Sequence, residues 1–100
     1  MADTPEKKVK KKVVEILKQY NAYYFYPVTG GFGASGVPDI VTCVKGRFLG
    51  IEVKADAKKR GPTALQQKNL NEINATGGIG LVIDANNLDE LTETLDAIGD

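Results

Sequence analysis

Apolar and polar positions alternate along this chain in two rhythms, and the places where the rhythm changes outline its elements. Val9, Val13, Ile16, Leu17 and Tyr20 recur at three- and four-residue intervals, which predicts a first helix with one apolar stripe. Thr4 suits its N-cap and Pro5 its first position, where the missing N–H is no loss. Asn21-Ala22 ends it. Tyr23 to Val28 reads as a strand of β-favouring aromatics that finishes near a sheet edge, because Pro27 cannot donate to a ladder. Two apolar runs follow, Ile40–Val44 and Phe48–Val53, joined by Lys45-Gly46-Arg47 in the pattern of a hairpin. Thr63 caps a second helix whose stripe is Leu65, Leu70 and Ile73, and Gly77-Gly78 stops it. The run from Ile79 to Asp84 is nearly all apolar, as expected of a strand covered on both faces. Asn86 or Asn87 then caps a last helix carrying Leu88, Leu91, Leu95 and Ile98. The expected order is α-β-β-β-α-β-α: one α/β domain over residues 1–100, a mixed four-stranded sheet flanked by helices.

Composition narrows the chemistry. The chain has no histidine and a single cysteine, Cys43, so His-based acid–base catalysis, His-ligated metals, disulfide scaffolds and thiolate zinc sites are excluded. No apolar run is long enough for a membrane span, and the lysine-rich start lacks the apolar core of a secretory signal, so a cytoplasmic protein is expected. The formal net charge is zero, but residues 1–60 carry twelve of the thirteen bases against six acids. That asymmetry fits either a polyanion-binding face or two solvated surfaces; Lys7, Lys8, Lys10, Lys11, Lys12 and Lys18 of the first helix are singly ordinary solvated-face residues and collectively could rest on phosphates.

The unusual chemistry lies between Gly36 and Lys54. Asp39 stands where the first hairpin strand begins, and the second ends in Glu52-Val53-Lys54. Side chains alternate along a strand, so Glu52 and Lys54 share a face while Ile51 and Val53 point into apolar packing. Two acids and a lysine on one side of a hairpin are costly to bury unless something compensates. A divalent cation would, since Mg²⁺ is commonly held by one or two carboxylates together with phosphate. On the first helix Glu6 falls at the edge of the apolar stripe and is expected to face the body of the protein, with Glu15 turned to water. On the second, Gln66 shares the face of Leu70 and Ile73, and Gln67 is rotated by about 100°. The glycine-rich stretch Thr29–Gly36 lacks the lysine of a phosphate-binding P-loop and does not open a helix; it reads as a flexible or close-approach loop whose amides, around Ser35, could touch a substrate backbone. Lys58, Lys59 and Arg60 form a basic loop suited to the same partner.

Gly-Val-Pro-Asp39, then Glu52-Val-Lys54, then a glutamine on the following helix resembles the PD-(D/E)XK nuclease superfamily, and more narrowly its VRR-Nuc family with its small stand-alone, phage-type members. The resemblance runs from about Glu6 to Asp84 and includes element order. It implies a restriction-endonuclease-like core in which Asp39, Glu52 and the Val53 carbonyl ligate Mg²⁺ or Mn²⁺. Lys54 would orient or help deprotonate the attacking water, or stabilise charge on the phosphorane. The glutamate that family members place on the first helix would be Glu6, and the helix glutamine Gln66, with Gln67 as a competitor. The activity implied is structure-selective DNA endonuclease, cutting Holliday junctions as a homodimer in a bacterial or phage-infected cell. Flap- or repair-type cleavage, duplex cutting, and a catalytically silent nucleic-acid-binding module of the same fold are the alternatives.

Overall fold

The computed structural model describes residues 3–28 and 35–99, so most of the glycine-rich stretch, Thr29 to Ala34, lies outside the described residues. The elements are α1 (Pro5–Gln19), β1 (Tyr23–Phe25), β2 (Ile40–Val44), β3 (Arg47–Val53), α2 (Ala64–Ala75), β4 (Ile79–Ile83) and α3 (Leu88–Gly99). This is the order expected from the pattern.

Local signals account for most boundaries. The Thr4 hydroxyl accepts from the Lys7 amide at 3.2 Å, with Pro5 in the first turn. At the other end, Ala22 N donates to Leu17 O and Asn21 N to Lys18 O, with Asn21 at φ 56°: a Schellman ending with asparagine in the left-handed position. α2 ends the same way, Gly78 N to Ile73 O and Gly77 N to Asn74 O, with Gly77 at φ 94°. The hairpin turn is tighter than expected. Lys45 and Gly46 both have positive φ, which makes a two-residue turn of the I′ kind, and Arg47 already pairs with Val44. β1 is shorter than expected, stopping at Phe25, because Pro27 removes a donor and restricts Tyr26 before it.

The sheet order is β1-β2-β3-β4. The first three strands run antiparallel, and β4 lies parallel to β3 after crossing over through α2. β4 is therefore an edge strand, not one flanked by neighbours. Its apolar run is covered from above and below rather than from the side: Leu81 and Ile83 enter the main core, while Gly80 faces α2.

The two sheet faces are covered differently. On one, Val9, Val13 and Leu17 of α1 and Leu91 and Leu95 of α3 pack on Ile40, Val44, Leu49, Ile51, Val53, Leu81 and Ile83. A Tyr20 hydroxyl donating to Asp96 ties the two helices together. On the other, α2 lies close over glycines. A Cβ at Gly50 would sit 2.5 Å from Ile73 Cδ1, and one at Gly80 would sit 2.9 Å from the Leu70 carbonyl oxygen. No helix among the described residues is long and apolar enough to cross a membrane.

Among the described residues, two buried side-chain oxygens lack a hydrogen-bond partner, Thr42 Oγ1 and Glu52 Oε2. Thr42 is 1% exposed, on the core face opposite Tyr24 and Leu49. An orphaned hydroxyl in apolar surroundings is a plain cost. Thr42→Val, nearly the same shape, is expected to stabilise the protein by about 1 kcal/mol in urea denaturation, and equal or lower stability would contradict this account. The Glu52 oxygen has different neighbours.

Candidate functional site

Antiparallel register builds the site. Ile40 pairs with Ile51, so one step outward brings Asp39 opposite Glu52 with both side chains on the same face. Asp39 is anchored there, since its Oδ2 accepts from the Val53 amide at 2.8 Å. Glu52 is 2% exposed although it lies close to the end of its strand. Lys54, one residue past β3, is held in the ladder by its amide donating to Ile83 O at 2.9 Å. Its Nζ reaches across to α2 and donates to Gln66 Oε1 at 2.9 Å.

Gln66 has a second task that its helix phase does not reveal. The same Oε1 accepts from the Thr63 amide at 2.9 Å, while the Thr63 hydroxyl accepts from Gln66 N. This is a capping box, so Gln66 is fixed by the start of α2 before it meets Lys54. Gln67 is exposed and bonds Asn71 on its own helix. Of the two glutamines, Gln66 is the one brought to Lys54.

The electrostatics of Glu52 are strained. Burial pushes its pKa up to about 8 from 4.5, and the Asp39 carboxyl adds to this as hydrogen-bond partner and as like charge. Lys54 partly offsets the rise and Glu6 adds to it. Glu6 therefore lies close enough to be felt, but it is exposed rather than packed against the protein body as its helix phase suggested. The first turn of α1 still meets solvent at this position. Glu15 is also exposed, nine positions further along, among the lysines.

A cation fits this arrangement. Glu52 Oε2 is buried without a donor beside a second carboxylate, a pairing that positive charge would relieve. Among the described residues no group of three or more His, Cys, Asp or Glu side chains is placed to hold a metal ion. A cation here would thus take Asp39 and Glu52 and complete its shell with oxygens that are not side-chain carboxylates, a coordination Mg²⁺ accepts. No family model, curated protein or solved structure matches this chain.

The remaining positions singled out in the sequence surround the site without entering it. Ser35 is exposed, and its carbonyl accepts from Asn69 Nδ2 at 3.1 Å, which fastens the end of the glycine-rich stretch to α2. Gly36, at φ 76°, lies under Leu65, where a Cβ would meet Leu65 Cγ at 2.8 Å. Lys58, Lys59 and Arg60 are exposed on the loop after β3.

What positions that loop is Asp84, which the pattern of residues presented only as the end of an apolar run. Asp84 is buried, and its carboxylate accepts from Ala57 N at 2.9 Å and Asn86 N at 2.8 Å. These backbone donors hold its pKa below the usual carboxylate value. Both oxygens are thus committed to main chain, which makes Asp84 a loop anchor. Asn87 supports it by accepting from Asp84 N at 2.7 Å and donating to Val82 O. An acid closing an apolar run before Asn-Asn is a turn signal of the Asx kind, and it is the one clue in the sequence to this anchor.

Proposed function

We propose that this chain is a metal-dependent DNA endonuclease with a PD-(D/E)XK-type site, resembling the VRR-Nuc family, that acts on branched DNA. One observation carries the reading: a nearly fully buried glutamate with a free carboxyl oxygen, set beside an anchored aspartate, with a lysine held two residues further on. A purely structural ion pair would bury neither an unpartnered oxygen nor two carboxylates together.

Asp39, Glu52 and the Val53 carbonyl are the groups that would hold Mg²⁺ or Mn²⁺. Such a cation, when bound, supplies charge neutralisation at the phosphate and a more acidic water. The chain's own part is positional. Asp39 ties the two hairpin strands together at the site through the Val53 amide. Lys54, steadied by Gln66, presents an ammonium to the water or to the phosphoryl oxygens as charge develops on them. The exposed Lys58, Lys59 and Arg60 would follow the flanking phosphates.

A four-way junction has two strands to cut and the chain has one such site, so a two-fold pair of chains is the proposed working form. Tyr23, Cys43 and Phe48 lie opposite one another across three strands, exposed on the sheet face that α2 leaves open. A second copy of the chain is the occupant that this apolar row would suit.

The test is a cleavage panel of linear duplex, flapped and four-way DNA, with Mg²⁺, Mn²⁺ or EDTA, alongside sedimentation of the protein. Metal-dependent nicking of the junction by a dimer is expected. Cleavage of the flap or duplex instead would reassign the substrate. Binding with no metal-dependent cut on any of them would overturn the enzymatic reading.

A further inference from the structure

A basic concavity lies away from Asp39 and Glu52. A groove of about 410 Å³ runs between the outer side of α1 and the residues after β1. Lys7, Lys11 and Lys18 line it at helical spacing with Val14 between them, Lys10 joins them, and Tyr26 forms the opposite wall. Eleven residues of helix separate Lys7 from Lys18, a rise of about 16 Å. Glu15 is the one acid in the lining, and Asp3 pairs with Lys11, so positive charge remains in excess. Tyr26 is 46% exposed, with Lys10 Nζ 4.3 Å from its ring centroid. The groove begins one residue from Glu6, the acid whose charge reaches Glu52.

We infer that this groove binds a single-stranded segment of nucleic acid, its phosphates along the lysines and a base against Tyr26. A row of cations with an accessible aromatic ring is the combination that single strands use: the backbone follows the charge and a base stacks on the ring. A duplex offers the phosphates but keeps its base faces stacked on one another. An acidic peptide would use the lysines and have no need of the ring. As a substrate-binding arm the inference rests on the nuclease reading, since a branched DNA supplies an unpaired strand near a cut site; the binding itself requires neither metal nor cleavage.

The test is fluorescence anisotropy of the full chain with a labelled oligothymidylate in EDTA, over a range of salt. Tyr26→Ala is expected to weaken binding about 5- to 100-fold, and Tyr26→Phe to retain it. Changing Lys7, Lys10 and Lys18 together to glutamine should flatten the log–log salt slope by about 2, at roughly 0.7 per phosphate contact. Melting curves of each variant confirm that it is folded. Wild-type binding by both the Tyr26→Ala and the triple-lysine variants, or poly-glutamate competing as well as the oligonucleotide, would overturn the inference. The two readings fail separately. If Tyr26→Ala loses binding while no DNA is ever cut, the groove stands and the nuclease does not. If metal-dependent cleavage is present and binding ignores Tyr26 and the lysines, the nuclease stands alone.

Discussion

Replacing Lys54 by alanine is expected to lower metal-dependent DNA cleavage by about 10²- to 10³-fold, the usual cost of removing one donor aimed at developing charge. The fold should survive. Lys54 Nζ donates to Gln66 Oε1, but that oxygen also accepts from Thr63 N, so the substitution orphans no buried acceptor. Stability should therefore change by no more than about 1 kcal/mol. A second effect follows from Glu52. Lys54 is what holds the Glu52 pKa down against burial and Asp39. Without it the carboxyl keeps its proton to higher pH, so the variant should need more Mg²⁺ for half-maximal rate, and the shift should shrink as pH rises. Cleavage at the wild-type rate by folded Lys54→Ala would remove the site from consideration.

The second large effect is on stability. Glu52 has its folded pKa raised to about 8 from 4.5. Below pH 4.5 the carboxyl is protonated whether the chain is folded or not, and it imposes no penalty. Between those values the unfolded chain releases the proton and the folded one keeps it. Stability then falls by up to about 1.4 kcal/mol per pH unit, and the decline levels off above pH 8. Asp84, with its lowered pKa, works in the opposite direction but only at pH near or below 3.8, outside this window. Urea denaturation at pH 5, 6, 7 and 8 in EDTA should show the decline in wild type. Glu52→Gln, which has nothing to titrate there, should show a much flatter profile. Mg²⁺ favours the ionised carboxylate and should flatten the wild-type decline while leaving Glu52→Gln unmoved. Equal slopes for the two proteins in EDTA would show that Glu52 is not the strained group.

Much of this architecture was legible because the deciding interactions span few residues. Thr4 and Thr63 cap helices three positions away, and Lys45-Gly46 closes a turn between adjacent strands. The face shared by Glu52 and Lys54 follows from strand alternation alone. What the pattern leaves open lies where distant elements decide. The apolar run at Ile79–Ile83 says, correctly, that its side chains are covered on both faces, but it is silent on whether another strand lies beside it, and β4 is an edge. Helix phase turned Glu6 inward, yet what a first turn faces depends on where the sheet ends. Phase also brought Gln66 toward the sheet, but its bond to Thr63 N required the capping geometry itself.

By itself, then, the sequence determined the number and order of the elements, the caps of the first two helices, and which polar residues must share a face, because these follow from backbone geometry over a few residues. Only the tertiary structure decided how strongly Glu52 is desolvated, that Asp84 anchors the basic loop, and that Tyr26 stands against the lysines of α1. Each of those depends on the distance between groups far apart in the chain, and packing alone sets that distance.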